Sequence, residues 1–294
     1  MYYRRKVILA LLQKLGGQVS STDFQKLLFL FVQLQKKPSF DFVPYKFGCF
    51  SFQSYADKRT MIKYGLLCDE NAWRVELEKK YFDSLTTEDQ DLLDIFYERY
   101  GHLRGRDLLI HVYENYPYYA IHSEIADKIL DPEKMAVIEQ LKQKGDSCHL
   151  FTLGYEGSSL EGYLNRLIFN KIGLVCDVRK NPISMKYGFS KGQFQDALQK
   201  MNIIYAHIPE LGIDSSKRKN LDSVETYERL FMEYENDIIP NQTGSLHHIR
   251  ELVENHQRVA LTCFERDHSR CHRSRVATAL SALTDWHYPI SHLS

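Results

Sequence analysis

The sequence predicts two parts: a mainly α, winged-helix-like half, followed by an α/β half built on a mostly parallel, Rossmann-like sheet. Three observations predict it. The chain has 294 residues, more than one hydrophobic core usually serves. Its first half repeats apolar residues at helical spacing. Beyond residue 148, short apolar runs alternate with amphipathic segments, the pattern of parallel strands separated by helices.

Arg4 to Leu15 carries apolar residues at 7, 8, 11, 12 and 15 and closes on Gly16-Gly17, which reads as a helix with its C-terminal stop. Ser20-Ser21-Thr22 then caps a helix over 23–35. Phe40 to Phe52, aromatic and interrupted by Gly48, suits an extended segment or wing, and Gln53 to Tyr64 a third helix. Helix, turn, helix, extended piece, helix is a winged-helix-like order. Thr86-Thr87-Glu88 opens a helix through Tyr100, and Arg104 to Leu130 adds two more around Tyr116-Pro117-Tyr118. The domain at 1–130 is therefore mainly helical, and the polar helix at 131–147 reads as a linker. In 148–294, strands are predicted at 149–153, 173–178, 203–207 and 258–264, with helices at 159–170, 191–201, 223–239, 243–256 and 271–283. Ligands of such sheets sit at the carboxyl ends of the strands.

Composition excludes several classes. Hydrophobic residues make up 44% and charged residues 26%, a globular balance with no fibrous or disordered signature. No apolar run approaches the roughly 18 residues of a membrane span. The opening MYYRRKVILALLQKLGG lacks a cleavable signal pattern. Six scattered cysteines, without framework spacing, read as reduced thiols. A cytoplasmic protein with no membrane partner is expected. Net charge is zero, yet up to residue 63 eleven lysines and arginines face three aspartates. A local field of that sign steers polyanions. Arg4, Arg5, Lys6, Lys46, Lys58 and Arg59 are accordingly expected to touch DNA, although a solvated helical surface explains the same charges.

Four clusters follow predicted strands. Gly154-Tyr155-Glu156-Gly157-Ser158-Ser159 allows a tight turn with amides open to an anion, or a plain strand-to-helix turn. Asp177 and Arg179, two apart on a strand, face the same side; a carboxylate beside a guanidinium stays ionised, as a working group or as a structural ion pair. Tyr205 and His207 share a side, and the histidine is either a proton carrier or a packed core group. The tract Lys217-Arg218-Lys219 suits a phosphate backbone or a solvated loop. The fourth cluster, Cys263 to Arg275, places four arginines and two histidines between a strand end and a helix start. Cations are unfavourable there unless an anion is bound or Glu265 and Asp267 pair with them. It is read as a phosphate site using Arg266, Arg270 and Arg273.

Two assignments weaken on spacing. A cysteine-phosphatase loop needs five residues between its Cys and Arg, and Cys263 to Arg270 encloses six. Zinc would draw on Cys263, His268, Cys271 and His272, but the arginines oppose a dication and no second ligand pair stands at the usual spacing. Neither a metal nor another cofactor is expected.

The motifs Gly154-Tyr155-Glu156-Gly157, Asp177-Val178-Arg179 with Pro182, Phe189 before a helix, Tyr205-Ala206-His207 with Leu211-Gly212, and Cys263-Phe264-Glu265 followed by Cys271-His272-Arg273 resemble the domain of unknown function 488 family. The resemblance covers roughly residues 149–294. It departs at two places: Ile213 stands where the family has a second glycine, and Phe264 where it has a small residue. The pocket floor is expected to differ there. The family leaves its chemistry open, so the resemblance supplies residues more than a reaction. Lys26-Leu27-Leu28-Phe29 and Tyr45-Lys46-Phe47-Gly48 resemble winged-helix segments of Panacea and SocA-like antitoxins.

Joined together, these features predict a DNA-binding enzyme that hydrolyses a nucleotide bond. An N-glycosidic bond is favoured, because its oxocarbenium-like transition state suits Asp177, Glu156 or Glu265. Cleavage at phosphorus would call for a metal cluster. Tyr155 is expected to stack on a base extruded from duplex DNA. Gly154, Gly157, Arg179, His207, Cys263, Cys271 and His272 complete the expected binding set. A DNA glycosylase-like, metal-independent hydrolase with a role in antiviral defence is one reading. A nucleotide-sensing regulator, or an antitoxin-like module presenting the aromatic stretch from Tyr113 to Tyr119, is the other; oligomeric state is left open.

Overall fold

The computed structural model of the protein describes residues 1–68, 71–142, 145, 147–214, 217 and 224–293. Two compact units divide the chain, Met1–Gln143 and Lys144–Ser294. Among the described residues no helix is long and apolar enough to cross a membrane.

The first unit runs α1 (Tyr3–Lys14), β1 (Gln18–Ser20), α2 (Ser21–Leu34), β2 (Val43–Tyr45), β3 (Gly48–Phe50), α3 (Phe52–Lys63), β4 (Ala72–Arg74), α4 (Thr87–Tyr100), α5 (Gly105–Asn115), α6 (Ala126–Ile129) and α7 (Pro132–Lys142). The caps act as the sequence predicts. Ser20 accepts from the Asp23 amide at 3.1 Å and Thr86 from the Asp89 amide at 3.3 Å, each satisfying a donor the helix leaves open. Helix α2 is the hub, with every residue from Phe24 to Val32 buried. Phe24 stacks on Trp73 at 4.1 Å, and Phe29 meets Phe42, Tyr116 and Tyr119 edge-on. The buried polar residues of α2 find partners. Gln25 donates to the Ser54 hydroxyl and accepts from the Ser51 amide, both at 2.8 Å. Lys26 donates to the Cys49 carbonyl at 3.4 Å, and burial lowers its pKa. The extended segment is a tight hairpin of β2 and β3, with Tyr45 opposite Gly48. Strands β1 and β4, which pair antiparallel, are three residues each, too short to show a period of two in the sequence.

This packing corrects two expectations. The buried carboxylate of Asp57 accepts from Arg4 Nε at 2.5 Å and Arg5 Nε at 2.6 Å, and Lys58 is itself buried, with its ammonium over the Trp73 ring. A carboxylate taken from water needs such partners, so these three cations serve the fold rather than a polyanion. Lys46 sits at the hairpin tip and pairs with Glu124, whose amide also donates to the Lys46 carbonyl at 2.8 Å. Lys6 is half-buried, and Lys46 and Arg59 are the exposed cations among those six expected to meet DNA. The aromatic stretch is not a partner surface. Tyr113 is buried and hydrogen-bonds Ser123, while Tyr116 and Tyr119 pack on Phe29.

The second unit runs β5 (His149–Gly154), α8 (Leu160–Phe169), β6 (Leu174–Asp177), α9 (Lys191–Lys200), β7 (Ile204–His207), α10 (Val224–Glu233), α11 (Thr243–His256), β8 (Arg258–Cys263), α12 (His272–Ser281) and β9 (Ile290–Leu293). Its five strands form one parallel sheet in the order β7-β6-β8-β5-β9. Strand β6 and most of β5 and β8 are buried, and their continuous apolar runs are what a sheet covered on both faces requires. Leu150, Leu174, Val259 and Leu261 meet Leu246, Ile249, Val276 and Leu280 of the covering helices in one core. Edge strand β9 escaped the sequence reading because Ile290-Ser291-His292-Leu293 carries little apolar content. The helix expected over 223–239 is α10 continued by a π turn, Tyr234–Ile238.

The Asp57 cluster gives a direct test by urea denaturation. Replacing Arg4 and Arg5 together with Met leaves a buried carboxylate unpaired and is expected to remove about 3–5 kcal/mol of stability. Adding Asp57→Ala to that double variant is expected to restore most of the loss.

Candidate functional site

The carboxyl ends of β5, β6, β7 and β8 carry Gly154, Asp177, His207 and Cys263. Asp177 is fully buried. Arg179 folds back on it with Nε to Oδ1 at 2.8 Å and Nη2 to Oδ2 at 2.6 Å, the fork geometry that suits a carboxylate. The Arg179 amide donates to Oδ1 at 3.1 Å and the Tyr205 hydroxyl to Oδ2 at 2.8 Å. Both carboxylate oxygens are therefore occupied. The remaining Arg179 nitrogen, Nη1, donates to the Tyr155 hydroxyl and the Phe189 carbonyl, each at 2.9 Å. Burial opposes the Arg179 charge, but the Asp177 carboxylate outweighs it and the pKa moves up. Burial and the same carboxylate raise the Tyr205 pKa, so the phenol stays a neutral donor.

His207 reinforces this loop. Its Nε2 lies 2.9 Å from the Arg179 carbonyl and its Nδ1 3.2 Å from Lys191 Nζ. The carbonyl can only accept, so Nε2 carries the proton and Nδ1 accepts from the lysine. His207 is thus a brace.

A second group forms where β8 leads into α12. His272 Nε2 donates to the Val178 carbonyl at 2.9 Å, which fixes the tautomer and turns the Nδ1 lone pair toward two sulfurs. Cys263 Sγ lies 3.5 Å away and Cys271 Sγ 4.0 Å. All three residues are buried, and their ligand atoms lie within 4.8 Å of one another. The Cys263 thiol donates to Glu265 Oε2 at 3.3 Å. Burial, then the neighbouring Cys263, pushes the Cys271 thiol well above its ordinary value. The loop after β8 is stitched to the turn after β5. The Phe264 carbonyl accepts from the Tyr155 and Glu156 amides at 3.1 and 2.8 Å, and Glu156 Oε2 accepts from the Arg266 amide at 3.0 Å. Gly154 makes this approach possible, since a Cβ there would stand 1.8 Å from the Glu265 carbonyl oxygen.

Between these groups lies a cavity of about 520 Å³. Its polar lining is Arg179, Lys180, Asn181, Ser184, Cys263 and His272; its apolar lining is Tyr155, Ile183, Met185, Ile213 and Phe264. Ile183, Met185 and Phe264 are exposed, which gives the mouth an apolar rim. No carboxylate belongs to the described lining.

Of the residues singled out from the sequence, Tyr155, Arg179, Cys263 and His272 line the cavity. Asp177 stands one layer behind, holding Arg179. Glu265 is partly buried behind Cys263, Glu156 is exposed, and Gly157 takes φ +72° in the turn after β5. The arginine expectation is corrected. Arg273 is fully buried, with its Nη atoms donating to the Glu265 and Arg266 carbonyls, so it closes the loop and does not face a ligand. Arg266 and Arg270 are exposed, and Arg270 sits 3.8 Å from Asp267. None of the three lines the cavity; the cations that do are Arg179 and Lys180. Tyr155 also differs from expectation. Its ring is buried and stacked on Phe189 at 4.2 Å, so the ring open to a base is Phe264. Lys217 is exposed, and Arg218 and Lys219 lie outside the described residues. The sequence reading missed Lys180, Ile183 and Met185, whose signal was two large apolar side chains within an otherwise polar loop, Asn181-Pro182-Ile183-Ser184-Met185-Lys186.

The ion pair at the site's base is testable by denaturation. Asp177→Asn keeps the shape but leaves Arg179 a buried, unmatched charge and is expected to cost about 3–5 kcal/mol. Tyr205→Phe removes one hydrogen bond to a charged group and is expected to cost about 1.5–3 kcal/mol.

No curated protein and no solved structure matches this chain. One family model matches, over residues 159–280, a span holding Asp177, Arg179, His207 and the Cys263 to His272 group. Ile213 and Phe264, the two departures from the motif pattern, both line the cavity. The C-terminal unit is therefore a member of the family described as Domain of unknown function DUF488.

Proposed function

We propose that the C-terminal unit binds a nucleotide unit of DNA in this cavity and hydrolyses its base–sugar bond, as a glycosylase-like enzyme acting on modified or foreign DNA. One observation carries the reading: the cavity combines an exposed cation, Lys180, and the polar Asn181 and Ser184 with an exposed aromatic and aliphatic rim of Phe264, Ile183 and Met185. A phosphate or sugar oxygen suits the first and a flat base the second. The volume of about 520 Å³ falls within the range of roughly 300–1,000 Å³ usual for ligand pockets. Stacking on an exposed ring contributes about 1–3 kcal/mol per base.

Glu265 is the carboxylate best placed to act. Asp177 has both oxygens engaged, and Glu156 is exposed with its carboxylate on the Arg266 amide. Glu265 touches the cavity-lining Cys263, where it can orient a water and stabilise positive charge developing on the sugar. The electron pair of the breaking bond leaves with the base, and water supplies the hydroxyl to the sugar and a proton to the base. Exposed Arg59 and Lys217 remain for the DNA backbone. A second reading, a nucleotide-sensing module without catalysis, is favoured by the neutralised Asp177 and by the lack of a carboxylate in the described lining.

Incubation of the full chain with unmodified and base-modified duplex DNA, followed by alkali cleavage and mass spectrometry of free bases, separates the two. Released base with alkali-labile sites is expected, with at least about a hundredfold loss in Glu265→Gln, as for removal of a general acid or base. Bound DNA with no base released from any substrate would refute the hydrolase and leave the sensor.

A further inference from the structure

We propose that Cys263, Cys271 and His272 bind a zinc-type cation whose fourth coordination position opens toward the cavity. The distances carry the inference. Zinc takes sulfur at about 2.3 Å and imidazole nitrogen at about 2.0–2.1 Å, so tetrahedral ligands lie roughly 3.5–3.8 Å apart. The separations here are 3.5 Å from Cys263 Sγ to His272 Nδ1 and 4.0 Å from Cys271 Sγ to the same nitrogen, and all three ligand atoms fall within 4.8 Å of one another. A contraction of the group by up to about 1 Å completes the tetrahedral geometry.

The surroundings agree with the distances. His272 donates its other ring N–H to the Val178 carbonyl at 2.9 Å, the outer contact that metal-bound histidines usually make, and this leaves Nδ1 free of a proton. Two thiols and an imidazole select soft or borderline cations over magnesium or calcium. Two thiolates balance a dication, and a coordinated cation itself deprotonates the thiols that bind it. Of the arginines that argued against a metal in the sequence, Arg273 alone acts on Cys271 among the described residues. Arg273 donates to the Glu265 and Arg266 carbonyls, and Arg266 and Arg270 are exposed. Cys263 and His272 line the cavity, and three protein ligands with an open position mark sites where a metal meets substrate or water. The spacing, seven residues from Cys263 to the adjacent pair Cys271 and His272, follows no familiar metal motif. The ligands converge because the end of β8 and the start of α12 are neighbours in the fold. The inference stands whether or not the hydrolase reading holds.

The test is metal binding by the full, reduced chain, with zinc in competition with a chromogenic chelator and with cobalt(II) as a spectroscopic probe. One equivalent per chain is expected, with thiolate-to-cobalt charge-transfer bands. Cys263→Ser and Cys271→Ser are each expected to lower affinity by more than about tenfold, while Cys68→Ser, at an exposed thiol, leaves it unchanged. No stoichiometric uptake, or uptake preserved in both buried variants, would overturn the site. Should those variants fail to fold, X-ray absorption on the unaltered protein decides: two sulfurs and one nitrogen are expected, and a shell of oxygen and nitrogen alone contradicts the assignment.

Discussion

A carboxylate with no access to water organises the C-terminal unit. Asp177 sits at the end of β6 with no exposed surface, and a charge there is tolerated only when its oxygens are fully matched. The matching groups come from three directions: the Arg179 fork, the Arg179 amide and the Tyr205 hydroxyl of β7. Arg179 in turn fixes the Tyr155 ring that follows β5 and the Phe189 carbonyl before α9, and its own carbonyl holds His207. Arg179 thus ties the loops after β5 and β6 to strand β7, and these loops, with the one after β8, line the cavity. The adjacent Val178 carbonyl orients His272, so the thiol group is aligned from the same turn.

Close backbone approach is the second constraint. At Gly212 a Cβ would stand 2.1 Å from the Lys180 amide nitrogen, as Gly154 meets the loop after β8. These two glycines let the cavity-lining segments 179–185 and 263–264 lie directly on their neighbours. Phe264 and Ile213, by contrast, are large side chains in the cavity lining, the first exposed at the mouth and the second buried, and both add apolar surface there.

Much of this was legible in the sequence, because alternating strands and helices place chemistry at strand ends whatever the reaction. That rule located Gly154, Asp177, His207 and Cys263, and helix spacing with Ser20 and Thr86 as caps located the helices of the first unit. What it could not reveal was which charged residue faces inward. Arg4, Arg5 and Lys58 read as a basic surface, yet Asp57 draws two of them in and Trp73 covers the third. Arg273 read as a ligand group for the same reason; its role as a loop closure depends on carbonyls several residues earlier that only the folded chain brings near. The converging Cys263, Cys271 and His272 were hidden by a spacing set by tertiary contact rather than by a local motif.

Nucleotide capture in the cavity is the claim on which the function rests, and isothermal titration of a deoxynucleoside monophosphate into the full chain, Phe264→Ala and Lys180→Ala tests it most directly. Saturable binding at one site is expected, weakened about tenfold or more by Phe264→Ala through loss of stacking and weakened by Lys180→Ala in a salt-dependent way. Absence of binding, or equal affinity in all three proteins, would contradict the assignment of this cavity to a nucleotide.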